Sequence, residues 1–185
     1  MRGSVRLAAI SLVLVGVSAI AIPVGVLRAQ DGSVNDKYAL KVPEGLAFAE
    51  FKGFESWETV GVSYTGETIE VILANPKMID AYKAGVPGNG KAFPDGAKMA
   101  KIHWTAKQSE DAPSPTTIQG PLHDVDFMVR DSKRFADTGN WGYAEFSYDS
   151  KQDKFSPDGS GKDCGYACHT IVQAKDYVFT AYGKR

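Results

Sequence analysis

Near the C-terminus, the segment Cys164-Gly165-Tyr166-Ala167-Cys168-His169 gathers the residues best suited to covalent and metal chemistry, and its cysteines are the only ones in the chain. Paired thiols followed directly by an imidazole are what covalent haem attachment requires. The thiols bond the porphyrin vinyl groups and the imidazole ligates iron. The usual signal has two residues between the cysteines, and this one has three. Positions three and four apart share one face of a helix, so the extra residue need not part the thiols. Gly165 also leaves the backbone free to adjust. Two other readings stay open. A disulfide across so short a loop would stabilise weakly, because closing it removes little unfolded-state entropy. Two cysteines and one histidine supply only three of the four usual ligands of a structural zinc site.

The elements that must position this segment can be read upstream. Phe48 to Trp57 suits a short helix and turn. Trp57 to Tyr64 and Thr68 to Ala74 are rich in β-branched residues and flank Thr65-Gly66-Glu67, the pattern of a hairpin. Asn75 and Pro76 open a helix that Gly85 closes. Lys98 to Trp104 predicts a strand with Met99, Lys101 and His103 on one face. Gln108 to Gly120 reads as a surface loop. His123 to Arg130 predicts a strand with Asp124, Asp126 and Met128 on one face and Val125, Phe127 and Val129 on the other. A short helix over Asp131 to Thr138 follows, then a strand from Trp141 to Tyr148. A polar loop leads to the cysteine segment, which continues as a helix to about Ala174, and Tyr177 to Tyr182 reads as a last strand. The expected class is α+β: a mainly antiparallel β-sheet with short helices and a C-terminal haem-binding helix.

Composition sets the outer limits. The chain has 185 residues and a formal net charge of −1, which gives no reason to invoke nucleic acid. Arg2 and Arg6 precede an apolar run from Leu7 to Leu27, the form of an export signal. Cleavage is expected near Ala29, giving a signal peptide over 1–29 and an N-terminal arm over 30–50. An uncleaved membrane anchor is the alternative, since the run approaches the roughly 20 apolar residues that span a bilayer. Either route exports the remainder, and the expected location is the periplasm.

Several stretches in one order resemble the cytochrome P-460 family. They are Trp57-Glu-Thr-Val-Gly61, the Asn75-Pro76 helix, and Phe93-Pro-Asp-Gly96 leading into Lys101. Val129-Arg-Asp-Ser-Lys-Arg-Phe-Ala136 with Gly139-Asn-Trp141 matches best, and the cysteine–histidine motif and Val178-Phe-Thr180 complete the order. The resemblance implies a haem domain over 51–185, carried as haem c on Cys164 and Cys168 with His169 on iron. It implies homodimers, oxidation of hydroxylamine or a related small nitrogen species, and electron delivery to a soluble cytochrome. It further implies a lysine–porphyrin crosslink, which falls on Lys101, and a distal carboxylate, which falls on Asp126. A desolvated lysine amine loses its proton readily and becomes nucleophilic, although most lysines instead reach for water. A carboxylate at Asp126 can accept protons from bound substrate, or it can be an ordinary strand aspartate.

Other residues leave the function open. Glu70 stands where some relatives carry a pocket arginine, which would alter the distal electrostatics. His103 either lines the pocket and relays protons or is simply hydrogen-bonded, and His123 looks exposed. Met99 and Met128 are core residues, or sixth iron ligands of an electron-transfer cytochrome. Related chains without the lysine bond resemble gas-binding cytochromes of the c′-β type, which take nitric oxide or carbon monoxide without catalysis.

Overall fold

The structure is a computed structural model that describes residues 36–43 and 45–185. The expected signal peptide over 1–29 and the first residues of the arm lie outside the described residues. Among those described, no helix is long and apolar enough to cross a membrane.

Six antiparallel strands form one sheet in chain order: β1 (Glu58–Tyr64), β2 (Thr68–Ala74), β3 (Lys98–Gln108), β4 (Thr117–Arg130), β5 (Trp141–Asp149) and β6 (Lys154–Ser160). The β1–β2 hairpin and the helix α1 (Pro76–Lys83) fall where the sequence places them. Asn75 caps α1 by accepting from the amide of Met78, and the same oxygen accepts from Lys98 at the start of β3. One side chain thus fixes both the helix start and its junction with the sheet.

Strand alternation gives the sheet two unlike faces. One carries Leu73, Ala100, Val125, Phe127, Ala144 and Phe146, packed against Val42, Leu46, Phe48, Phe51 and Phe54 from the chain before β1. Phe51 stacks on Phe127 at 4.2 Å between ring centroids. The other face is apolar towards α1, where Met99, Met128, Trp141 and Tyr143 meet Met78, Ile79, Tyr82 and Phe93. Further along the same face, its residues become polar.

Five expectations are corrected. The loop expected over Gln108 to Gly120 is shorter than that, Ser109 to Thr116, with β3 reaching Gln108 and β4 starting at Thr117. β6 occupies what reads as polar loop; as an edge strand bearing Pro157 it lacks the apolar alternation of a half-buried one. The helix expected over Asp131 to Thr138 is confined to a single 3-10 turn, Ala136–Thr138. The C-terminal helix is instead a succession of short turns, broken where Cys164 leaves helical geometry (φ −107°, ψ −105°) and again at Val172. Tyr177 to Tyr182 is not a strand. Asp176 and Tyr177 turn the chain through left-handed geometry (φ 51° and 63°), and the tail is pinned by side chains, with the Tyr82 hydroxyl donating to the Thr180 carbonyl at 2.7 Å.

Candidate functional site

The C-terminal turns and tail lie over the polar end of the second face, enclosing a cavity of about 570 Å³. Lys101, Asp126, Cys164, Cys168 and His169 all line it, although they come from three separate parts of the chain. Its apolar wall includes Ile72, Met99, Met128, Tyr143, Val178 and Phe179. Met99 and Met128 are buried core residues as well as cavity wall.

On the C-terminal side both cysteines are free thiols. Gly165 between them lies flat against the ring of Tyr143, and any side chain there would overlap that ring. Gly159 on β6 gives the same clearance to Cys164, since a Cβ would stand 2.7 Å from its sulfur. Glu145 Oε2 lies 3.6 Å from the Cys164 sulfur. Burial, reinforced by Glu145, pushes the Cys164 thiol up to about 11, so it is a thiol rather than a thiolate near neutrality.

His169 sits between aromatic rings, with Tyr143 at 5.0 Å and Phe179 at 4.9 Å between centroids. Its Nδ1 donates to the carbonyl oxygen of Tyr177 at 2.5 Å. That bond assigns the proton to Nδ1 and leaves Nε2 free to ligate a metal, the arrangement that ligating histidines commonly adopt. Burial holds the imidazole below its ordinary pKa, which favours the neutral, ligating form.

The opposite wall is built by register. Lys101 on β3 pairs with Asp126 on β4, which pairs with Glu145 on β5, so three charged side chains lie in a row on one face. Two residues further along each strand, on the same face, Glu70, His103 and Asp124 form a second row. Glu70 crosses between them: its Oε2 lies 2.9 Å from the Lys101 amine and its Oε1 3.7 Å from His103 Nε2. Burial pushes the Asp126 carboxyl up to about 7; Asp124 and Glu145 raise it further while His103 and Lys101 oppose them. His103 does not line the cavity, and His123 is exposed as expected. Glu145 and Tyr143 were not anticipated; the alternation Trp141, Tyr143, Glu145 along β5 carries the signal that finds them.

The donor set suits haem. Two thiols, an imidazole with a free Nε2 and an apolar wall converge on one cavity, and the buried Tyr143 hydroxyl in that wall has no protein partner. The chain belongs to the cytochrome P460 family, whose model matches residues 51–180. Membership implies a haem cofactor. A search of curated proteins returns no match.

Proposed function

We propose that the chain is an exported, periplasmic c-type haem oxidoreductase that oxidises hydroxylamine or a related small nitrogen species. The observation that carries this reading is the convergence of Asp126 and Lys101 with Cys164, Cys168 and His169 on one cavity. Cys164 and Cys168 would hold the haem by thioether bonds and His169 would ligate its iron through Nε2. Bound there, the haem would supply an iron able to withdraw electrons from the substrate and pass them to a soluble cytochrome. Each electron taken from hydroxylamine frees a proton from an N–H or O–H bond. Asp126, with a carboxyl that titrates near neutrality, is suited to accept it. Lys101 would bond the porphyrin rim, and the functional unit would be a homodimer.

One observation favours a second reading. The Lys101 amine is engaged by Glu70 at 2.9 Å. If that pair persists with haem bound, the amine stays uncrosslinked and the protein is a gas-binding cytochrome of the c′-β type. An absorption spectrum of the reduced holoprotein separates the two. A strongly red-shifted Soret band with hydroxylamine turnover supports the oxidoreductase, whereas an ordinary five-coordinate ferrous spectrum without turnover supports gas binding. Mass spectrometry that finds no haem on Cys164 and Cys168 would overturn both.

A further inference from the structure

We propose that Asp126, His103, Asp124 and His123 form a proton-conducting chain that joins the cavity to solvent. It rests on the hydroxylamine reading, since it carries away the protons that such an oxidation releases.

The chain is continuous in space. Asp126 lines the cavity, and its Oδ2 lies 3.9 Å from Nε2 of His103, a gap that a small side-chain rotation closes to hydrogen-bonding distance. Nδ1 of His103 is hydrogen-bonded to Oδ1 of Asp124, and Oδ2 of Asp124 is hydrogen-bonded to Nδ1 of His123. One buried carboxylate therefore bridges two imidazoles. The His103 side chain is 12% exposed and that of Asp124 9%, whereas His123 is 64% exposed. The path starts at the cavity, crosses a shielded interval and ends in water.

Its outer half depends on a local irregularity of the sheet. Across β3 and β4, His103 pairs with Asp124 but Trp104 pairs with Leu122, so His123 is the extra residue of a β-bulge. In a regular strand His123 and Asp124 would point to opposite faces. The bulge re-aims the imidazole onto its neighbour's carboxylate, a use of bulges common beside functional sites. Both imidazoles stabilise the buried carboxylate, and the second also carries the path from the shielded interval out to solvent.

The electrostatics suit the path. His103 faces Glu70 from β2, Lys101 from its own strand, Asp124 and Asp126 from β4, and Glu145 stands beyond Asp126 on β5. Burial disfavours the imidazolium, but the Asp124 hydrogen bond and the surrounding carboxylates outweigh it and raise the pKa of His103. In each passage the exposed His123 ring first turns so that its unprotonated nitrogen faces Asp124. Asp126 gives a proton to Nε2 of His103 while Nδ1 gives one to Asp124. The Asp124 carboxyl rotates and passes it to that nitrogen of His123, and the other nitrogen of His123 releases its proton to water. One proton enters and one leaves, no electrons move, and ring reorientation restores the starting tautomers.

The test uses the holoprotein with Asp124→Asn, an isosteric change whose amide cannot pass the proton. In weak buffer, hydroxylamine turnover with an artificial electron acceptor should fall about tenfold or more. Rising phosphate concentration should restore it, while the wild type stays indifferent to phosphate. Turnover at the wild-type rate, or a slowed rate that phosphate leaves unchanged beside an unaltered absorption spectrum, overturns the proposal. A second arm needs no substrate. Nitrogen NMR of the imidazoles should show Asp126→Asn lowering the titration midpoint of His103, and an unmoved midpoint overturns the proposal. If the wild type fails to turn over hydroxylamine, the functional reading falls and the NMR arm still decides the chain.

Discussion

The proton on Nδ1 of His169 is held by the carbonyl oxygen of Tyr177, eight residues further along the chain. That carbonyl is aimed by the left-handed turn at Asp176 and Tyr177. Asp176 is in turn fixed by Arg130 at 2.8 Å and by the amide of Phe93 at 2.7 Å. The orientation of the imidazole is therefore set from β4, by an ion pair that does not touch it.

Arg130→Met should expose that dependence. Arg130 and Asp176 are largely buried, with side chains 11% and 12% exposed, and removing one partner of such a pair costs roughly 3–5 kcal/mol. Chemical denaturation should show the loss. A loosened Nδ1 hydrogen bond also makes the imidazole a poorer donor, so the haem midpoint potential should rise in a redox titration. An unchanged potential in a folded variant would show that Tyr177 does not tune the ligand.

Lys101→Ala separates attachment from the chemistry proposed for the ring. Hydroxylamine oxidation and the red-shifted Soret band should both disappear, while mass spectrometry still finds haem on the two cysteines. Glu70→Gln, which weakens the ion pair holding the amine, should leave the crosslink in place or increase its yield. Full activity in Lys101→Ala refutes the crosslink role.

Asp126 leaves a signature in stability. Its folded carboxyl titrates at about 7, raised mainly by burial, against about 3.9 in an unfolded chain. Between those values the unfolded chain gives up a proton that the folded protein keeps. Stability therefore falls as pH rises from about 4 to about 7 and levels off beyond. In Asp126→Asn that slope should flatten. Urea unfolding of both proteins across this range checks the sign, and parallel slopes would count against a burial-shifted carboxyl.

Gly165→Ala tests the packing of the cysteine segment. Its methyl would enter the ring of Tyr143, and overpacking of this kind typically costs about 1–3 kcal/mol. A lower melting temperature and a reduced haem-to-protein ratio should appear together. Gly183→Ala, at a glycine with open space around it, serves as the control.

Much of the site's floor is legible in the sequence. Two-residue periodicity alone places Lys101 with His103, and Asp124 with Asp126, on their respective strand faces. What it does not give is register, because the pairing of Lys101 with Asp126 and Glu145 is decided by contacts between distant strands. Glu145 was missed for that reason. The His123 bulge was missed because an extra residue leaves no mark on the alternation of one strand. β6 was missed because an edge strand exposed on both sides carries no apolar period. Tyr177 to Tyr182 misled in the opposite sense: its aromatic and β-branched residues suit a strand, but its preceding turn diverts it from the sheet. The partner of His169 is a backbone carbonyl, which no side-chain pattern records.

Every strand of the sheet pairs only with its neighbours in sequence. Such a meander can assemble strand by strand, with short connections to close except between β2 and β3, where α1 intervenes. The residues that cover the cavity come last in the chain and must settle onto a floor already made. If order along the polypeptide becomes order in time, both thiols stay accessible until the C-terminal turns dock, when a bulky planar group can still be brought in from the side.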